Sequence, residues 1–499
     1  MPLSFPFRPN LLSFAKWALI AIGVVAAIWF VVILWWQSSQ RQITPGDALT
    51  YLVVLPAAAL LGIAGMRWMR KRAPAVETGP VDAPASGGVQ PAPDDAAANG
   101  LPILAAWSFT SIGTSLDEYR QALIDKRQRP HPDAGMLDDY GFPLHTARIR
   151  ELDISTVQDD LKAVISRNAG LAQAQDDLDR EGFLRTLALT SQLLAQLNAE
   201  WPLADDAPDS SASSHGSATL RGRDAVGAMT DMRLQLQIKM IVPSSFTPAE
   251  QQLTLSYLLE NAAALPIESQ QLHVQILPAA DDPVALQLAE RFRAEALDSE
   301  QPQALLLLAC ESALCPVVAE RWQAENKLFG SHAPHGQMPG EAAFAILCAN
   351  RQALPLSMDA PACLLQRVVH ARREHSADNG GKPGHATLAA VVADALAAAG
   401  VAGNAIGAVA CDADHRSSRV LECIGAMLEH TPQLDAIENR LSVNEACGHT
   451  GAASNAGGWA AGIAQVRQAG SPVLLFNVSH AFERAAAVLL PANERPQPS

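Results

Sequence analysis

The sequence predicts an α/β fold, a mixed or parallel sheet layered with helices, preceded by a transmembrane helical hairpin. Three observations carry this expectation. From residue 271 onward, short apolar runs alternate with stretches of helical period. Two of those runs, 304–309 and 342–349, are wholly apolar, as strands buried on both faces should be. Two long uncharged runs lie within the first 66 residues.

The first of these, 17–36, is 20 residues without a charge. At about 1.5 Å per residue a helix of that length crosses a bilayer core of about 30 Å. Trp17 and the pair Trp35 and Trp36 suit the two interfaces. A signal peptide and a buried core helix are the competing readings; the run is too long, and 37–41 too poor a cleavage site, for the former. The second run, 49–66, is 18 uncharged residues interrupted by Pro56, which a membrane helix tolerates better than a soluble one. Arg8 and Lys16 precede the first run, Arg67, Arg70, Lys71 and Arg72 follow the second, and the loop between carries only Arg41. The positive-inside rule then places both ends of the hairpin, and the soluble body, in the cytoplasm; a single span would put the body outside. Residues 73–100, with five Pro, four Gly, eight Ala and no Lys or Arg, read as a disordered linker.

The body opens with a strand at 101–107 and a helix from a capping box at Ser115 and Glu118 to about Lys126. Residues 136–145 read as a turn between short extended pieces. Apolar residues at helical spacing fill 156–197, with Leu184, Leu187, Leu189, Leu193, Leu194 and Leu197 on one face. A polar loop at 205–223 precedes a strand at 233–242 and a helix at 248–264 capped by Thr247. Then come a strand at 272–277, a helix at 283–296, the strand 304–309, a helix at 316–327 and the strand 342–349. Helices at 385–399, 416–430 and 457–469 alternate with strands at 405–410, 472–478 and 485–490. The pattern divides the chain into a hairpin (1–72), a linker (73–100), an N-terminal α/β domain (101–270) and a C-terminal α/β domain (271–492).

Net charge is −15, yet residues 1–72 carry seven basic residues against one acid, so they are net +6 and the remainder −21. Such an acidic body repels phosphate backbones, which argues against nucleic-acid binding. All seven cysteines follow residue 309 and none forms a Cys-x-x-Cys pair, so they read as buried small residues in a reducing compartment. There is no Gly-x-Ser-x-Gly, His-Glu-x-x-His, phosphate loop or dinucleotide fingerprint, and no cofactor or metal is implied. His332 and His335 share a loop without an acidic partner. Asp412, Asp414 and His415 follow a strand, where a turn and a helix cap account for them.

The segment Gly448-His-Thr-Gly-Ala-Ala-Ser-Asn-Ala-Gly-Gly458 is similar to the Gly-His-Thr-x-x-Ala-x-Gly signature of thiolase-fold condensing enzymes. Residues 309–312 resemble the turn after an apolar strand in ketosynthases, and 338–347 their Gly-Glu-Gly-Ala strand. The resemblance implies a thiolase-like mixed sheet from 271 onward, and in that family the histidine assists a cysteine nucleophile. The departures are specific. Asn444 stands where the pattern has Lys, Ala446 where it has Asn, and no cysteine precedes Cys310, although the nucleophile belongs upstream of Ala309 in a strand–helix turn. Without a thiolate there is no acyl-enzyme. The candidates for an alternative acyl-thioester chemistry are His449 with Cys447 or Cys310, although residues adjacent in sequence need not meet.

Asp138-Asp-Tyr-Gly-Phe-Pro143 with Arg148, the strand ending in Pro243, Cys411-Asp-Ala-Asp-His-Arg416 and the Gly-His-Thr segment together resemble the type VI secretion lipase-adaptor family. That resemblance implies a non-enzymatic bacterial adaptor that binds a phospholipase effector and aids its loading onto the spike protein of the secretion machine. It brings no catalytic residues, and the hairpin at 1–72 departs from its pattern. Joined to the membrane segments at 17–36 and 49–66, it gives an expectation of an adaptor tethered to the inner membrane, its soluble domains facing the cytoplasm.

Overall fold

The computed structural model describes residues 100–168, 171, 180–203, 234–262, 265, 272–280, 283–297, 299–331, 333–379 and 384–492. The membrane hairpin, nearly all of the linker and the loop expected at 205–223 lie outside the described residues. Among those described, no helix is long and apolar enough to cross a membrane.

The first half of the body follows the sequence pattern closely. Strand β1 (Leu101–Thr110) leads to helix α1 (Leu116–Asp125). Ser115 accepts from Glu118 N and Glu118 accepts from Ser115 N, the reciprocal capping box read from the sequence. A short hairpin, β2 (His131–Leu137) and β3 (Pro143–Thr146), turns at 138–142, where Asp138 accepts the Tyr140 and Phe142 amides. Helices α2 (Ser155–Arg167) and α3 (Glu181–Ala199) come next. In α3 the leucine face is buried, and so are Arg185, Thr186 and Thr190, so this helix is enclosed on more than one side. Strand β4 (Gln235–Pro243), helix α4 (Pro248–Ala262), β5 (Leu272–Ala279), α5 (Val284–Leu297), β6 (Gln303–Ser312), α6 (Pro316–Ala324) and β7 (Glu341–Ala349) complete it. A second capping box opens α4, between Thr247 and Glu250.

The second half contains β8 (Cys363–Leu365), β9 (Val369–Arg372), α7 (Ala386–Ala399), β10 (Ala408–Cys411), α8 (Ser417–His430), β11 (Arg440–Ser442), α9 (Val443–Cys447), α10 (Ala453–Ala469), β12 (Val473–Asn477) and β13 (Glu483–Pro491). Strands β8, β9 and β11 were not expected; at three or four residues each they are too short to show a period. Strand β10 begins at Ala408 rather than 405, because Gly403–Ala405 forms a 3-10 turn. Helix α10 begins at Ala453 rather than 457.

These strands form one 11-stranded sheet in the order β11-β10-β12-β13-β8-β1-β7-β6-β4-β5, with β9 paired to β13. The order hides a duplication. In the first half, β5-β4-β6-β7-β1 places the strands third, second, fourth, fifth, first in chain order. In the second half, β11-β10-β12-β13-β9 does the same. The senses match as well: second and third parallel, second and fourth parallel, fourth and fifth antiparallel, fifth and first antiparallel. Strand β8 joins the halves, pairing Leu365 with Leu101 of β1 and with Leu489 of β13.

Alternation along the strands builds layers on both faces. In β6, Leu305, Leu307 and Ala309 point into a core shared with α1, α5 and α10, while Leu306, Leu308 and Cys310 point to the outer core under α3 and α4. Outer helices of the second half, α7 and α8, cover a third core formed with β10, β12 and β13. Helix α10 packs against strands of both halves, and its residues from 453 to 464 are all buried. Small residues such as Ala456, Ala460, Ala461 and Ala464 allow it to fit between them.

Candidate functional site

A cavity of about 1070 Å³ opens where β4, β5, β10 and β12 end, the carboxyl edge at which α/β sheets hold ligands. Its floor is made by residues that alternation turns toward the middle layer. Glu311, one residue beyond the outward Cys310, reaches the amino end of α10 and accepts from Ala452 N at 2.7 Å. A carboxylate there is stabilised by unpaired amides and the helix dipole. Gly451 has φ +48°, and a Cβ on it would lie 2.2 Å from the Glu311 carboxylate, so only glycine fits this position. The amino end of α5 is held by Asn455 of α10, whose Oδ1 accepts from Leu286 N at 3.1 Å. Both central helices therefore present amino ends already engaged by side chains of this chain.

His449 lines the same cavity and is 6% exposed. Its amide donates to Met338 O at 2.7 Å, and its carbonyl accepts from Gly340 N at 3.1 Å. The imidazole lies edge-on to Trp322, centroids 5.4 Å apart. Gly448, with φ +67°, lets the chain pass within contact of the Met338 and Pro339 carbonyls. The glycine-rich signature thus shapes a tight backbone crossing that fixes His449.

The thiols are elsewhere. Cys310 is fully buried on the outer face of β6, facing Thr190 of α3, and burial pushes its pKa up to about 12. Cys447 is fully buried and turned to Thr110 of β1, and burial raises it to about 12 as well. Thiols this reluctant to ionise are poor nucleophiles. Two strand–helix turns upstream of Ala309 line the cavity, after β4 at Ser244 and Ser245 and after β5 at Ala280; neither the stretch 244–247 nor 280–283 contains cysteine. Of the seven free thiols, Cys411 is drawn downward, chiefly by a hydrogen bond from Cys423 and despite its burial. It faces the outer core under α8, not the cavity.

Behind the floor lies a polar cluster that the sequence signalled only in part. Asp412 follows β10, and its carboxylate accepts from Val478 N at 2.7 Å, Ser479 N at 3.1 Å and the Asn477 amide. Asn444 donates to Asp412 O at 2.8 Å. Burial raises the Asp412 pKa to about 7, against the pull of those two amides. Among the described residues the buried Oδ1 atoms of Asn444 and Asn477 meet no hydrogen-bond donor. Turning the Asn477 amide over would aim its oxygen at Asp412, a contact that requires the protonated carboxyl. Asp414 has the expected turn role, accepting Arg416 N at 3.0 Å, and it also pairs with the Arg416 guanidinium at 2.7 Å. His415 is set apart, edge-on to Phe329. His335 lines the cavity mouth, and His332 lies outside the described residues. Among the described residues no three His, Cys, Asp or Glu side chains gather as a metal site.

The residues alone mark Asp412, and the ketosynthase resemblance marks Asn444, His449 and the 309–312 turn that contains Glu311; the seat of Glu311 on α10 and the Asn477 contact were not read from the sequence. Glu311 was within reach of sequence reasoning, because period two along β6 puts it opposite Cys310.

The architecture is that of a thiolase-like fold. No family model and no curated protein matches the chain. Solved structures do. An ishigamide ketosynthase/chain length factor superposes with a TM-score of 0.53 at 15% identity, over 79% of this chain and 100% of that one. The ketosynthase from module 6 of the bacillaene synthase of Bacillus subtilis 168 gives 0.52 at 12% identity, over 79% and 72%. Its counterpart from module 1 of the bacillaene synthase of Bacillus amyloliquefaciens FZB42 gives 0.50 at 11% identity, over 81% and 75%. At these identities the likeness is one of fold.

Proposed function

We propose that this chain is a non-enzymatic adaptor that keeps a thiolase-like fold as a binding scaffold. The observation that carries this reading is the make-up of the turns bordering the cavity. A cysteine at the amino end of α5 would have its pKa lowered by the helix dipole. Residues 280–283 are instead Ala, Asp, Asp and Pro. With Glu311 seated on the amino end of α10, an acyl thioester meets carboxylate rather than thiolate at the cavity floor.

The finer reading rests on the family resemblance. The cargo is a type VI secretion lipase effector and the destination is the spike protein. The chain is held at the bacterial inner membrane by 17–36 and 49–66, its soluble domains facing the cytoplasm. The test is co-expression of the full tagged chain with a lipase and a spike protein encoded beside it. Retention of either through purification supports the reading, and recovery of neither contradicts it.

A further inference from the structure

Helix α8 sets charge among the apolar residues of its buried side, Cys423, Ala426 and Met427, and leaves leucines on its open side. Its sheet-facing side buries two charged residues completely, Arg419 and Glu422, while Leu421 and Leu428 on the outer side are 50% and 62% exposed. The inward charges are committed. Arg419 pairs with Asp378 at 2.8 Å and donates to Ser479 O at 3.1 Å. Glu422 accepts from Arg484 at 2.8 Å and Arg373 at 2.6 Å. The helix therefore cannot roll to hide its leucines without stripping those ions of partners. At about 100° per residue, Val420, Leu421, Ile424 and Leu428 fall within an arc of about 100° and form a continuous apolar stripe. The stripe begins at the cavity mouth, which Leu421 lines.

The other half shows what belongs on such a face. By strand order and packing, α7 and α8 correspond to α3 and α4. There, α2 lies against both α3 and α4, burying Val157, Leu161, Val164 and Ile165. No described element takes that place over α7 and α8. Their exposed charged side chains are both acidic, Asp394 and Glu429. We propose that the Val420, Leu421, Ile424 and Leu428 face docks a cationic amphipathic helix of a partner protein, in the position that α2 fills on the first half. This docking face goes beyond the adaptor reading and does not depend on which cargo the cavity side serves.

The test uses the full chain and a labelled synthetic helix about as long as α2, with leucines at helical spacing and lysines flanking them. Binding is followed by fluorescence anisotropy. The expected result is saturable binding that weakens at least about tenfold in Leu421→Asp/Leu428→Asp and is unchanged in Leu259→Asp on α4. These positions are exposed, so the fold should survive all three substitutions. Equal binding to the double variant, no binding to the wild type, or equal affinity for a glutamate-flanked helix overturns the proposal. So does self-association of the wild type that the double variant abolishes, which would make the face a contact between copies. Binding to neutral phosphatidylcholine vesicles that the same substitutions abolish would assign it to lipid and also overturn it.

Discussion

Each half of this protein fastens its last strand to an outer helix with a buried arginine–glutamate pair, and the polarity is opposite in the two. In the first half Glu341 of β7 is held by Arg185 of α3 at 2.5 and 2.8 Å. In the second, Arg484 of β13 is held by Glu422 of α8 at 2.8 and 2.9 Å. The backbone and side-chain groups beside each pair explain the reversal. Glu341 also accepts from Ile149 N at 2.7 Å and Ser312 Oγ at 2.9 Å, so that site needs an acceptor. Arg484 also donates to the carbonyls of His480 and Glu483, so that site needs donors. Both fastenings sit at the start of the last strand, but on helices that do not correspond, α3 in the first half and α8, the counterpart of α4, in the second; local hydrogen-bonding groups fix which residue is the acid.

The comparison breaks first at these pairs. Arg185→Met should cost about 3–5 kcal/mol, because it takes the buried Glu341 carboxylate's ion-pair partner, and Arg484→Met should cost less, because Glu422 keeps Arg373 at 2.6 Å. The exchanged doubles, Arg185→Glu/Glu341→Arg and Glu422→Arg/Arg484→Glu, should not recover that loss in urea unfolding. Recovery would show that the neighbouring groups do not set polarity.

The next effect separates the halves by pH. Strand β10 is followed by Asp412, whereas β4, its counterpart in the first half, is followed by Ser244. The folded pKa of Asp412, about 7, lies above the unfolded value near 3.8. The folded state therefore binds the extra proton, and the stability it confers is fully present below the unfolded value and lost as pH rises through 7. Three pKa units correspond to about 4 kcal/mol as an upper figure. Asp412→Asn should flatten the stability profile between pH 4 and 7 relative to wild type, measured by denaturant midpoint; an unchanged slope would remove the assignment.

The outer layers differ by less. Leu161→Ala, on the covered face of α2, should cost about 3 kcal/mol. Leu428→Ala, on the bare face of α8, should stay within about 0.5 kcal/mol. Glu311→Gln, which keeps an acceptor for Ala452 N but removes the charge at α10, should cost about 1 kcal/mol. Thermal melts of the three variants give the ranking, and a costly Leu428→Ala would mean that the bare face is covered within this chain.

The long strands and helices were legible because period and length agreed. The 10-residue β6 and the 14-residue α8 each carry enough residues to show their pattern. The duplication was not legible, since it lies in strand order, and β8, β9 and β11 are too short to signal. The Gly-His-Thr segment correctly marked a tightly packed place in the fold. Which side chains meet there depends on packing across several elements, so Cys447, two residues from His449 in sequence, turns to Thr110 instead. The buried charges of α8 were not legible, because only the partners Asp378, Arg373 and Arg484, distant in sequence, show that Arg419 and Glu422 point inward.

The central claim is a thiolase-like fold whose cavity is lined by no cysteine among the described residues. Its most direct test is intact-mass analysis of the full chain after treatment with a thiol-reactive acyl-thioester analogue. The account predicts no stoichiometric adduct on Cys310 or Cys447 in the folded protein. Stoichiometric labelling of either cysteine, abolished by His449→Ala, would contradict it.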